Sequence, residues 1–200
     1  VTDKAAYHHR DLKNALTAAG VALLAKQGVS GLTLRQAAKQ AGVSHSAPYA
    51  HFADKQSLLA AVCAYGFQML HEQLVSAIEC HPRSIRLQMI AAAQGYVRFA
   101  MKHRELFKLM FSGVLQQQKS YPELEEVTRG MLETLVSRVA AGQQARLIIG
   151  NNAQLTAIAL WAQIHGLVVL ALEDQIPSSL LSQSSIEQMV ADAIQQNWCN

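Results

Sequence analysis

The sequence predicts an all-α fold of about nine helices, with a small N-terminal three-helix unit (1–53) followed by a larger helical body (54–200). Three observations predict it. Half of the 200 residues are hydrophobic, enough for a sizeable core and too many for a disordered chain. Four prolines and 11 glycines leave little material for a succession of turns. Alanine, leucine and glutamine recur throughout, and the apolar residues fall at helical spacing.

Residues 4–27 place Leu12, Ala15, Leu16, Ala19, Leu23 and Leu24 on one helical face, and Gly28 supplies a stop. Gly31 breaks the chain, Thr33 stands at a cap position, and LRQAAKQAG forms a short second helix closed by Gly42. The third element lies in GVSHSAPYAHFADK (42–55). Proline is tolerated in a first turn, where its missing N–H has no helical partner, and it biases the residue before it away from helical angles. Pro48 therefore makes this a late-starting short helix entered through Ser44 to Ala47. Nucleation is unfavourable for so short a segment, so Phe52, with Val43 packing inward, must hold it.

Asp54 then caps a long fourth helix, with Leu58, Leu59, Val62, Gly66, Met69 and Leu70 inward, which ends near Cys80 before Pro82. Further helices are expected at about 83–102, 104–117, 122–141, 151–173 and 184–198. CHP, SYP, a Gly/Gln/Asn-rich region and IPSSLLSQSS separate them.

The net charge of +3 is unevenly placed. Residues 1–60 hold seven Lys/Arg (Lys4, Arg10, Lys13, Lys26, Arg35, Lys39, Lys55) against three acids, whereas residues 61–200 hold ten against eleven. A basic first third is either an ordinary solvated surface or an electrostatic footprint for a polyanion; a motif must decide.

Several function classes drop out. Cys63, Cys80 and Cys199 are odd in number and widely spaced, which fits reduced thiols in a cytoplasm and no cysteine metal site. The eight histidines form no HExxH or ExxH pair, and His8-His9 adjoins the terminus, so no metal or other cofactor is expected. Residues 1–14 are polar and charged, unlike a signal peptide. Leu147 to Leu172 carries no charge and is long enough to span a membrane, but Asn151, Asn152, Gln154, Gln163 and His165 interrupt it and no Lys/Arg cluster flanks it. A helix apolar around most of its circumference is otherwise buried on two sides, the second being a partner subunit. No paired catalytic carboxylates, nucleophile elbow or phosphate loop is visible, which argues against an enzyme.

The first three helices have the order of a helix-turn-helix, with Ala38 as the small residue of the crossing and Gly42 as the turn. LTLRQAAKQAGVSHSAPYAHFADKQSLLAAV resembles the N-terminal DNA-binding region of the TetR family of bacterial transcriptional regulators. The resemblance rests on Thr33, on Ala41-Gly42-Val43-Ser44, on Tyr49-x-His51-Phe52 and on Lys55. WAQIHG (Trp161 to Gly166) is similar to the Trp-x-x-x-His-Gly signature of one C-terminal subclass of that family. One departure stands out: many members carry threonine and an aliphatic residue where Ala47 and Pro48 stand, so a side-chain phosphate contact from position 47 is lost.

The resemblance implies an N-terminal DNA-binding domain (1–53) and a helical ligand-binding and dimerisation domain (54–200). It names Thr33, Arg35, Ser44, His45, Ser46, Tyr49, His51 and Lys55 as DNA-binding candidates. His45 and Ser46 are placed either for base edges or for phosphate and water, and His51 either for phosphate or for packing. Arg35, like Lys39, lies on the second helix, where backbone crossing competes with plain solvation. No acid occurs from Leu32 to Ala53, which removes repulsion from phosphates.

In the larger body, Met89, Ala93, Tyr96 and Ala100 form one stripe, Phe107, Met110 and Phe111 another, and Leu124, Val127, Met131 and Leu135 a third. Core packing explains any one of them. In a TetR-like regulator such helices enclose an effector pocket, with Tyr96, Phe107, Phe111, Trp161 and His165 as ligand-binding candidates. The expected function is a ligand-responsive repressor, homodimeric on a near-palindromic double-stranded DNA operator, released by a small apolar effector and without membrane contact. The alternative is a dimeric ligand-binding or adaptor protein with a degenerate helix-turn-helix.

Overall fold

The computed structural model describes residues 2–116 and 119–199, with side chains from residue 12 onward. The His8-His9 side chains lie outside that set. Nine α-helices and one 3-10 turn are present among the described residues, and no strand beyond an isolated bridge between Ile148 and Trp198. The helices are α1 (Thr2–Gly31), α2 (Leu34–Ala41), α3 (Lys55–Glu79), α4 (Ile85–Lys102), α5 (Arg104–Phe111), α6 (Pro122–Gln144), α7 (Ala153–Leu172), α8 (Ser178–Leu181) and α9 (Ile186–Gln195), with the 3-10 turn (Ala47–Ala50) between α2 and α3. The chain forms two compact units, residues 1–68 with 105–128 and residues 69–104 with 129–200.

In the first unit, α1 and α2 bury Leu16, Leu23, Leu24, Leu34, Ala37 and Ala38. At Gly28, where the sequence places a stop, non-helical angles (φ 66°) kink the chain, and α1 runs on to Gly31. The buried face of α3 contributes Leu58, Leu59, Val62 and Cys63. Burial pushes the Cys63 thiol up to about 12, so it stays an inert apolar filler, while Cys80 and Cys199 are exposed. At Gly66 a Cβ would lie 2.7 Å from Met110 Sδ, so α3 and α5 approach more closely than a larger residue allows.

Three expectations are corrected. The third element is a single 3-10 turn, not an α-helix, because Pro48 lacks the N–H an α-ladder needs and Tyr49 bonds back to Ser46 at i−3 (3.2 Å). The helix expected to run to 117 ends at Phe111, where Ser112 turns back on Leu109 and Gly113 takes φ 66°. The stretch IPSSLLSQSS is not purely a separator, since Ser178–Leu181 makes one helical turn, α8.

In the second unit the core is made by α4, α7 and α9, through Val97, Phe99, Leu160, Ile164, Val168, Val190 and Ile194. Side chains cap each start: Ser84 accepts from Leu87 N, Asn152 from Leu155 N and Ser185 from Gln188 N. Arg104 Nη2 donates to Leu172 O (2.6 Å) and satisfies an end carbonyl of α7.

The exposed side of α7 departs from a helix buried all round. Leu155 is 69 % exposed, and Ile158, Val169 and Leu170 also face outward at helical spacing. Among the described residues α7 alone is long and apolar enough to cross a membrane, with a mean hydropathy of 1.9 over its best window.

Candidate nucleic-acid interface and polar cluster

The first unit builds its surface from the caps outward. Thr33, extended at φ −133°, accepts a hydrogen bond on its hydroxyl oxygen from Gln36 N (3.2 Å) and so fixes the start of α2. That oxygen keeps its proton for a further acceptor, and the first-turn amides beside it form the positive end of the helix. Gly42 closes α2 in the left-handed region (φ 71°), with its N–H on Lys39 O and Val43 N–H on Ala38 O. This reversal turns the chain into Ser44, His45 and Ser46, all exposed.

Ala47 N–H donates to Ser44 O, and His51 and Phe52 N–H both donate to Pro48 O at 2.9 Å. Pro48 is buried and Phe52 is 2 % exposed, so an apolar underside holds a turn that cannot hold itself. Tyr49, on its outer side, is 64 % exposed. Arg35 and Lys39 stand exposed on α2, His51 is half-buried, and Lys55 is exposed at the start of α3. One N–H of the Lys55 ammonium holds Val29 O at 3.0 Å, which leaves two for another acceptor.

The first carboxylate after this acid-free stretch is already engaged. Asp54 accepts from Ser57 N while Ser57 Oγ accepts from Asp54 N, a reciprocal cap of α3. Lys119 pairs with the other oxygen of Asp54, and that hydrogen bond holds the carboxyl below its ordinary range. Gln56 donates to Val114 O and accepts from Gln116 N, which fastens the segment after α5 to the start of α3. Lys119 and Gln56 escaped sequence reasoning because their partners lie 58 to 65 residues away, with no local signal.

The five ligand-binding candidates fall into two groups. Phe107 and Phe111 pack in the first unit, with ring centroids 4.9 Å apart and Phe67 edge-on to Phe111 at 5.2 Å. Tyr96, Trp161 and His165 meet in the second. Trp161 Nε1–H donates to Tyr96 Oη (3.3 Å), and Tyr96 Oη lies 2.8 Å from His165 Nδ1. The phenol oxygen thus joins the indole N–H and the imidazole Nδ1 in one polar cluster. Tyr96 is 5 % exposed, and burial raises its phenol pKa.

Desolvation lowers the pKa of His165 below 6.5, as it does for His103, with Lys102 adding a smaller effect at the latter. For a base with a depressed folded pKa, the unfolded chain binds the extra proton between the folded pKa and 6.5. Stability is therefore full above that range and falls on acidification through it. The melting temperature is expected to drop as the pH falls through and below 6.5, and His165→Gln to flatten part of that drop, as read by thermal unfolding across pH. A profile unchanged by the substitution assigns the drop elsewhere.

Comparison with known proteins gives two family matches along the chain. A family model described as bacterial regulatory proteins, tetR family, matches residues 16–62, and one described as tetracyclin repressor-like, C-terminal domain, matches residues 89–193. Among solved structures, a protein of unknown function from Rhodococcus sp. RHA1 is 32% identical over 94% of this chain and 96% of its own, with a TM-score of 0.80. A TetR family transcription regulator from Marinobacter aquaeolei VT8 is 22% identical over 93% and 97%, with a TM-score of 0.68. The fatty acid degradation regulator FadR from Bacillus halodurans is 15% identical over 89% and 97%, with a TM-score of 0.67; these last two share the fold. No curated protein matches the sequence.

Proposed function

Since this chain belongs to the tetR family of bacterial regulatory proteins and is a DNA-binding transcriptional regulator, we propose that it is a homodimeric, cytoplasmic repressor released from a near-palindromic operator by a small effector. One observation supports it above the rest. The turn from Ser44 to His51 presents hydroxyls and imidazoles to solvent with no acid from Leu32 to Ala53, on a scaffold fixed by Thr33, Gly42, Pro48 and Phe52.

In this reading residues 1–53 are the DNA-binding domain and residues 54–200 the effector and dimerisation domain. Thr33, Arg35, Ser44, Tyr49, His51 and Lys55 serve the phosphate backbone, and His45 and Ser46 read base edges in the major groove. The Tyr96–His165–Trp161 cluster, with Tyr96 buried and the other two half-buried, supplies polar anchors for the effector. Phe107 and Phe111 belong to the aromatic packing of the first unit.

The test is fluorescence anisotropy on DNA flanking the chain's own gene, titrated with salt. Log affinity is expected to fall linearly with log salt, with a slope of about −0.9 per neutralised phosphate. Tyr49→Phe and Lys55→Ala are expected to weaken all sequences alike, and His45→Ala to relax preference at particular base pairs. Absence of binding to any DNA at about 50 mM salt overturns the reading and favours an adaptor with a degenerate helix-turn-helix, to which the Ala47-Pro48 departure points.

A further inference from the structure

We propose that a cavity in the first unit, walled in part by the residues that directly follow the 3-10 turn, is a regulatory site for a small carboxylate with an apolar body, and that filling it weakens operator binding. The second half rests on the DNA-binding reading above; the first does not. The cavity has a volume of about 300 Å³, at the lower end of ordinary small-molecule sites. Lys13 of α1, His51 and Phe52 after the 3-10 turn, Ala61 of α3, and Tyr121 and Glu123 at the start of α6 are among its walls.

The donors and acceptors select the ligand. Ser57 and Ser120 also reach the cavity, but their hydroxyl protons are spent on Asp54 O and Glu125 Oε1. The hydroxyl of Tyr121 is shielded from solvent and has no hydrogen-bond partner among the described residues, a standing cost that an incoming acceptor removes. Lys13 pairs with Glu123 across a partly exposed rim and keeps further N–H donors. A carboxylate has two oxygens and no proton to place, so it accepts from the ammonium, and from the phenol once Tyr121 turns its shielded hydroxyl toward the cavity. An amine or an alcohol does not offer the Lys13 ammonium the charged acceptor oxygens that a carboxylate does. Phe52, Ala60, Ala61, Pro122 and Leu124 provide the apolar remainder.

The sign of the regulation follows from charge. A carboxylate on Lys13 neutralises one cation of the basic first third and releases Glu123 from it. The added negative charge sits against His51, a phosphate candidate, and within about 8 Å such a charge is poorly screened at physiological salt. Repulsion from the DNA backbone then lowers operator affinity.

The full chain is titrated calorimetrically, first without DNA, with benzoate and hexanoate and with benzamide as the uncharged control. At least one acid is expected to bind with a dissociation constant of about 1 mM or tighter, and benzoate roughly tenfold more tightly than benzamide. Lys13→Met and the cavity-filling Ala61→Leu are each expected to weaken the acid roughly tenfold, and Tyr121→Phe by about threefold or more. Lys13→Met changes a partly exposed side chain and keeps the test decisive if Ala61→Leu misfolds.

Saturating acid is then expected to reduce operator affinity by about fivefold or more in the parent and not in Ala61→Leu. Binding of neither acid at up to about 10 mM, or binding indifferent to Lys13→Met and Tyr121→Phe, overturns the site. Acid binding that leaves operator affinity unchanged overturns the regulatory role. Acid binding by a chain that retains no DNA at low salt upholds the site and sinks the DNA-binding reading instead.

Discussion

Phe52→Ala is expected to lower the unfolding free energy by about 3–5 kcal/mol and to abolish sequence-specific DNA binding while some folded protein remains. The ring is 2 % exposed and its backbone N–H is one of two that converge on Pro48 O. Truncation removes apolar area and leaves a cavity under a four-residue turn too short to be stable by its own hydrogen bonds. The stability loss is read by urea unfolding, and Phe52→Leu, which keeps most of the volume, is expected to cost less than about half as much. Equal losses for the two variants show that aromatic shape rather than volume holds the turn. Retained operator affinity in folded Phe52→Ala separates DNA reading from the turn altogether.

Val169→Glu on the outer face of α7 is expected to leave the fold intact and to weaken dimerisation by about a hundredfold or more. Val169 is exposed together with Leu155, Ile158 and Leu170, so the single chain has water enough for a carboxylate there. A second copy covering this face removes that water. A two-fold interface presents each substituted position twice, and an unpaired buried charge costs several kcal/mol. Sedimentation equilibrium gives the constant, and the operator affinity of the variant is expected to fall with it, since two recognition turns must meet half-sites roughly 34–36 Å apart. A parent chain that sediments as a monomer at micromolar concentration removes the dimer from the mechanism.

The elements legible in the sequence were those governed by interactions within a few residues. Thr33, Gly42 and Asp54 each act on a backbone group no more than five positions away, so a cap or stop is written beside the helix it bounds, whereas the Asn152 cap of α7 was not read from the sequence. The DNA-binding candidates were named from the resemblance of one continuous stretch, Thr33 to Lys55, rather than from partners in the fold. Pro48 shows the limit of local reading: it announced a late, short helix, but competition between its missing N–H and the i−3 bonds around it made the turn 3-10.

What the tertiary structure decided depends on partners far apart in the chain. Tyr96 meets His165 and Trp161 across more than 60 residues, whereas Phe107 and Phe111, grouped with them by composition, pack in the other unit. Asp54 with Lys119 and Lys13 with Glu123 are ordinary surface charges until the fold pairs them. The charge-free run from Leu147 to Leu172 required a helix, but which of its faces is buried follows from where α4 and α9 lie. Helical periodicity is a property of the backbone and repeats with every residue type that tolerates it. The choice of neighbour is made by shape and by the burial of whole faces, and those exist only once the helices have been assembled.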